Sequence, residues 1–184
     1  KNDVKTFIPV ARIADMLLHP GDEFDYDGGR YRYPDIKMVY WAGGNPFHHH
    51  QDLTRLLAGW RKPDTIIAHE WCWNALAKHA DIILPCTTSL ERTDIAMSPM
   101  DNYFVSMQAA IAPVGDARDD FEIFRGIAAK MGAENAFTEG RSAEDWQRWL
   151  YDVTKQASAE QGHELPSYDA FRKDGWFKLP PPET

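Results

Sequence analysis

The chain has 184 residues, a 43% hydrophobic and 26% charged composition, and a formal net charge of −8. That length suits one domain with a real core, or one domain and an appendage. The acidic balance argues against a nucleic-acid-binding face, and no apolar run approaches a membrane span or a signal peptide. Two cysteines, Cys72 and Cys86, are too few for a disulfide framework and read as small apolar fillers.

Pro9 stands where a helix can start, and Val10, Ile13, Met16, Leu17 and Leu18 give it one apolar stripe, ended by Pro20-Gly21. Residues 22–34 alternate aromatic and polar side chains around Gly28-Gly29, which predicts a hairpin on the surface. Met38-Val39-Tyr40-Trp41 lacks alternation, as a strand buried on both faces does. A Gly-Gly-Asn-Pro turn follows, then His48-His49-His50 and a helix from Asp52 to Trp60. Residues 64–68 predict a second strand ending at His69-Glu70, Trp71 to His79 a short helix, and residues 81–85 a third strand stopped by proline. This β-α-β-α-β order predicts a parallel sheet flanked by helices. The strand ends at Gly43–Asn45, His69–Glu70 and Pro85–Thr88 then share one edge, where open parallel sheets bind ligands.

Residues 86–100 read as an irregular loop and residues 102–111 as a further strand. Asp119 or Asp120 caps a helix to Met131, with Phe121, Phe124, Ile127, Ala128 and Met131 facing inward and Gly132 as its stop. Residues 133–141 read as loop. Ser142 starts a long helix with Trp146, Trp149, Leu150 and Val153 as its apolar stripe. A short helix covers residues 167–173, and a proline-rich exit ends the chain. The start KNDVKTF, without an initiator Met, and the end LPPPET lead to the expectation of an excised piece of a longer polypeptide.

The histidine triplet invites a metal reading. Adjacent histidines point in different directions, however, and the sequence has neither Cys-x-x-Cys nor His-Glu-x-x-His, so no metal ligand is assigned. The glycine turn matches neither the dinucleotide fingerprint nor the phosphate loop. Glu70 is placed to accept from ribose hydroxyls or a guanine edge, and equally reads as a solvated loop acid. Thr87-Thr88 offers hydroxyls and N–H groups, or a turn cap. No nucleophile elbow or Ser-His-Asp pattern stands out. The residues alone describe an α/β ligand-binding domain for a phosphate-bearing or nucleotide-like ligand.

The strings IPVARIADMLLHPG, MVYWAGGNPFHHHQDLTRLL, HADIILPCTTSLERTDI and ARDDFEIFRGIA, in that order, resemble the molybdopterin oxidoreductases of the dimethyl sulfoxide reductase family. The likeness runs over residues 8–132 and is greatest to the branch of biotin sulfoxide, dimethyl sulfoxide and trimethylamine N-oxide reductases. It implies a Rossmann-like open, mainly parallel sheet, excised from a larger enzyme that holds molybdenum between two molybdopterin guanine dinucleotides. The chain then divides into a lead-in helix and hairpin over residues 1–35, a core over 36–132 that the resemblance makes dinucleotide-binding, and a helical extension and linker over 133–184. By the same resemblance, cofactor contacts fall on Gly44, Asn45, His49, His69, Glu70, Pro85, Thr87, Thr88 and Asp120. Relatives often carry Asp where this chain has Glu70. Asp120 matches an acid that accepts from guanine N1–H and N2–H₂ together.

The family's metal-ligating side chain belongs to an earlier segment, so no catalytic residue or metal ligand is assigned. The implied partners are the remaining domains of the same polypeptide and a small S-oxide or N-oxide substrate. The isolated piece is expected to be inactive and without cofactor. The competing reading is a non-redox α/β module for a nucleotide or a protein partner.

Overall fold

The computed structural model describes residues 7–98 and 100–179. Two compact units meet in the chain between Pro85 and Cys86.

In the first unit, a single 3₁₀ turn at Val10–Arg12 leads into helix α1 (Ile13–Leu18). Strands β1 (Glu23–Tyr26) and β2 (Gly29–Arg32) form the expected hairpin. Its two-residue loop is Asp27-Gly28, with φ of 47° and 72° at those positions. That pair of left-handed residues matches the twist of the strands. Phe24 and Tyr33 stack at 4.4 Å and are buried, so the ribbon has one face inside.

Strands β3 (Met38–Trp41), β4 (Thr65–Glu70) and β5 (Ile82–Pro85) form a parallel sheet in that order. The three expected parallel strands are present, with helices between the first two and only a 3₁₀ turn between the last two, and β3 is not buried on both faces. Met38 is 56% exposed, and β3 has β4 as its one sheet neighbour. Only β4 has a strand on each side, and it carries Ile66 and Ala68 into the core. Between β3 and β4 stand helices α2 (Pro46–His49) and α3 (Leu53–Trp60). Leu17, Phe47, Leu56, Trp60 and Leu76 complete the core. Helix α3 lies close on α1 through Gly59, where a Cβ would come within 3.1 Å of Leu17 Cβ and 3.3 Å of the Ala14 carbonyl.

The helix expected over Trp71 to His79 shrinks to a 3₁₀ turn at Ala77–His79. Asn74 is the reason. Its Oδ1 accepts from Ala77 N at 3.0 Å and its Nδ2 donates to Glu70 at 2.6 Å, so a side chain takes the bonds a helix would make.

The second unit has an antiparallel sheet of β6 (Asp94–Met97), β7 (Tyr103–Met107) and β8 (Trp176–Lys178), ordered β6-β7-β8. Strand β7 ends four residues short of the expected end at 111, β6 lies in the expected loop, and β8 in the expected exit. Its helices are α4 (Asp120–Lys130), α5 (Glu134–Thr138), α6 (Ala143–Glu160) and α7 (Tyr168–Asp174). Helix α5 falls where a loop was expected. Helix α6 opens on a reciprocal cap between Ser142 and Asp145. Its predicted stripe faces outward at Trp149, Leu150 and Val153, and Tyr151 is the buried residue instead. Tyr151 stacks on Phe171 at 5.0 Å, within a core of Phe104, Tyr151, Tyr168 and Phe171. None of the residues of α4 is fully buried, and Met131 beyond its end is exposed. The chain is thus mixed α/β, with one parallel and one antiparallel three-stranded sheet among the described residues.

Candidate functional site

The parallel pairing sends β3, β4 and β5 out at one edge of the sheet. Trp41 pairs with Ala68, His69 with Leu84, and Glu70 with Pro85. The turn after β3 is pinned by the Trp41 indole, whose N–H donates to the carbonyls of Gly43 at 2.9 Å and Gly44 at 3.2 Å. Gly43 and Gly44 have φ of 85° and 69°, a conformation that side chains with a Cβ rarely adopt. Gly44 also faces the ring of His49, 4.0 Å from where its Cβ would sit.

Asn45 is the N-cap of α2, its Oδ1 accepting from Phe47 N at 3.0 Å. The residue is 8% exposed, and its Nδ2 is buried without an acceptor among the described residues. A buried amide N–H₂ lacking a partner costs roughly 1–3 kcal/mol. His48 and His49 are exposed, whereas partial burial, with the neighbouring His49, holds His50 below the usual histidine range.

At the end of β4, His69 and Glu70 are both buried. Tyr40 Oη and His69 Nε2 lie 2.7 Å apart, and Glu70 Oε2 accepts from Asn74. The sheet therefore brings Gly44, Asn45, His69, Glu70 and Pro85 to one edge, with His49 one turn into the following helix. Tyr40 and Asn74 went unrecognised in the sequence. An asparagine four residues past an acid carries no distinctive signal, and Tyr40 reads there as one more core residue.

In the second unit, Thr87 is buried and its hydroxyl donates to Asp119 Oδ1 at 2.5 Å. Asp119 occupies the N-cap of α4 without making the side-chain cap expected of it. Thr88 donates its N–H and its hydroxyl to Glu91 Oε2, both at 2.7 Å, and Glu91 Oε1 accepts from Val114 N at 2.7 Å. Three donors hold the Glu91 carboxyl below its ordinary range, the Thr88 bonds first. Glu91 was missed, although Thr-x-x-Glu is a capping-box spacing. Asp120 sits in the first turn of α4, 3.8 Å from Arg92 Nη1. It lines a cavity of about 280 Å³ with Arg92, Thr93, Phe121, Trp146 and Gln147. No group of three or more His, Cys, Asp or Glu side chains is placed to hold a metal ion among the described residues.

An α/β chain that gathers amide, imidazole and carboxylate groups at the carboxyl edge of a parallel sheet is built like a ligand-binding domain. Within the first unit, the buried donor of Asn45 and the carboxylate acceptor of Glu70 suit a ligand bearing both acceptors and donors. The family model described as molybdopterin oxidoreductase matches residues 13–130, and the chain belongs to that family. The chain is 47% identical over 178 residues to a biotin sulfoxide reductase of Cereibacter sphaeroides, covering 96% of this chain and 24% of that protein. It is 43% identical over 175 residues to a dimethyl sulfoxide/trimethylamine N-oxide reductase of Rhodobacter capsulatus, covering 94% of this chain and 21% of that protein. Among solved structures, acetylene hydratase from Pelobacter acetylenicus matches in fold with a TM-score of 0.57 at 17% identity, over 81% of this chain and 19% of the other. The chain thus spans about a quarter of the length of these curated relatives. They are oxidoreductases, and the family implies a molybdenum–molybdopterin cofactor.

Proposed function

We propose that this chain is the cofactor-gripping part of a molybdenum-dependent S-oxide or N-oxide reductase, and that the cofactor is the guanine dinucleotide form of molybdopterin. Relatives named for biotin sulfoxide, dimethyl sulfoxide and trimethylamine N-oxide support the substrate class. The carrying observation is Asn45 Nδ2, a buried donor without an acceptor among the described residues, beside a glycine turn at the sheet edge. A ligand oxygen at that position would satisfy it. In this reading the sheet is Rossmann-like, residues 36–132 hold the binding residues, and the contacts are Gly44, Asn45, His49, His69, Glu70, Pro85, Thr87, Thr88 and Asp120. The bound cofactor supplies the oxygen-atom transfer and two-electron chemistry.

The protein's residues bind and orient. Gly43 and Gly44 let the backbone turn close to the ligand, and Asn45 donates from the floor of that turn. Glu70 and Asp120 offer carboxylate oxygens to ribose hydroxyls or guanine N–H groups. Tyr40 holds the ring of His69, and Asn74 holds Glu70. The isolated piece, lacking most of the relatives' length, is inactive and without cofactor.

The test uses the full-length polypeptide. Asn45→Ser and Asp120→Ala are purified and their molybdenum, and the GMP released by acid hydrolysis, are measured per protein. Both should fall in each variant. Full occupancy in both would remove the reading.

A further inference from the structure

Proline 85 has no N–H, and the two threonines near it make an unusual pair. Thr87 donates its N–H to the Arg118 carbonyl at 3.1 Å and its hydroxyl to Asp119. Thr88 donates both its N–H and its hydroxyl to Glu91. Every proton that Thr87 and Thr88 can donate is therefore directed into the protein. A threonine hydroxyl has one proton and two lone pairs, so these side chains retain only acceptor capacity. A phosphate loop works the opposite way, with N–H groups pointing at the anion.

Glu91 enforces the arrangement. It is 8% exposed, and its two oxygens take three donors, from Thr88 twice and from Val114. Diphosphate oxygens can only accept, whereas ribose hydroxyls and guanine N1–H and N2–H₂ can donate. We infer that Glu91 is a positioning residue which takes both donors of Thr88, completing with Asp119 and the Arg118 carbonyl at Thr87 an acceptor surface that takes the nucleoside end of a dinucleotide and not its diphosphate. The inference rests on the reading of this chain as a dinucleotide-binding domain. Glu91 acts through Thr88 and touches no ligand itself.

The experiment uses the full-length polypeptide purified without cofactor, with guanosine and inorganic pyrophosphate as separate probes, titrated calorimetrically. Glu91→Gln leaves one oxygen for three donors and turns an N–H₂ toward one of them. Thr88→Val removes the hydroxyl and keeps the shape, and Thr88→Ser keeps the hydroxyl. Glu91→Gln and Thr88→Val should each weaken guanosine binding about tenfold, the worth of one good hydrogen bond, and leave pyrophosphate binding within about twofold. Thr88→Ser should bind guanosine as the wild type does, which a purely structural role for the position does not predict. Equal loss of both probes, loss of pyrophosphate alone, unchanged guanosine binding, or no guanosine binding by the wild type would each overturn the inference. If Asn45→Ser and Asp120→Ala both keep their GMP content, the functional reading itself fails. If they lose GMP while Glu91→Gln binds guanosine normally, only the role of Glu91 fails.

Discussion

Tyr40 Oη stands 2.7 Å from His69 Nε2, joining the third residue of β3 to the fifth of β4 just below the edge where both strands end. The two rings meet edge-on at 5.3 Å. The bond fixes the imidazole of a residue that is almost wholly buried. Tyr40→Phe keeps the ring contact and removes the hydroxyl. Urea unfolding of the full polypeptide should show a loss of about 0.5–1.5 kcal/mol. An unchanged midpoint would show that the bond does not contribute.

Asn45 has two roles on two atoms. Its Oδ1 caps α2, and its Nδ2 is the buried donor. Serine is a comparable N-cap but offers no amide N–H₂. Asn45→Ser should therefore stay within about 1 kcal/mol of wild-type stability while Asn45→Ala loses about 1 kcal/mol more. Both should lower bound GMP. A serine variant with full GMP and normal stability would separate Asn45 from ligand binding.

Two helical glycines should respond in opposite directions. At Gly59 a Cβ meets Leu17 and the Ala14 carbonyl, and one of those is backbone in α1. Gly59→Val should cost about 1–3 kcal/mol through overpacking. At Gly126 in α4 a Cβ meets nothing within 4 Å. Gly126→Ala should add about 0.5–1 kcal/mol from helix propensity alone. Thermal midpoints of the two variants, measured side by side, decide the matter.

The lowered Glu91 carboxyl sets an acid limit. A carboxyl whose folded-state pKa lies below its ordinary value of 4.5 adds stability above that value. This contribution is lost as the pH falls through the folded-state pKa. Glu91→Gln should flatten that part of the stability–pH curve. A variant whose acid limb matches the wild type would exclude Glu91 as its source.

Tyr151 sets an alkaline limit in the same way with the opposite sign. Burial pushes its phenol up to about 12. The resulting stability is complete below the ordinary tyrosine value of 10.0 and is lost as the pH climbs from there towards about 12. Tyr151→Phe should lose about 1 kcal/mol near neutrality, from the bond to the Pro166 carbonyl, and lack this alkaline loss. An ultraviolet titration showing Tyr151 ionising at 10 would sink the prediction.

The sequence alone determined the three parallel strands over residues 36–85 and the helix between the first two, because apolar runs bounded by Gly-Gly-Asn-Pro, Pro63 and Pro85 are local signals. It also determined, by ordered motifs, the family to which the chain belongs. It did not yield β6, β8 or α5. Strand β8 exists because it pairs with β7 from the far end of the chain, and a three-residue strand has no pattern of its own. Nor did it show that the stripe of α6 faces outward, since periodicity gives a face but not what covers it.

The candidate site divides along the same line. Gly44, Asn45 and Glu70 were legible as turn and strand-end residues. Only the tertiary structure decided where their atoms are directed: Asn45 Nδ2 buried without a partner among the described residues, Glu70 held by Asn74, and the protons of Thr87 and Thr88 taken by Arg118, Asp119 and Glu91. Residue type sets how many donors and acceptors a side chain has. Which of them remain for a ligand depends on neighbours brought close by folding, and no local pattern records those.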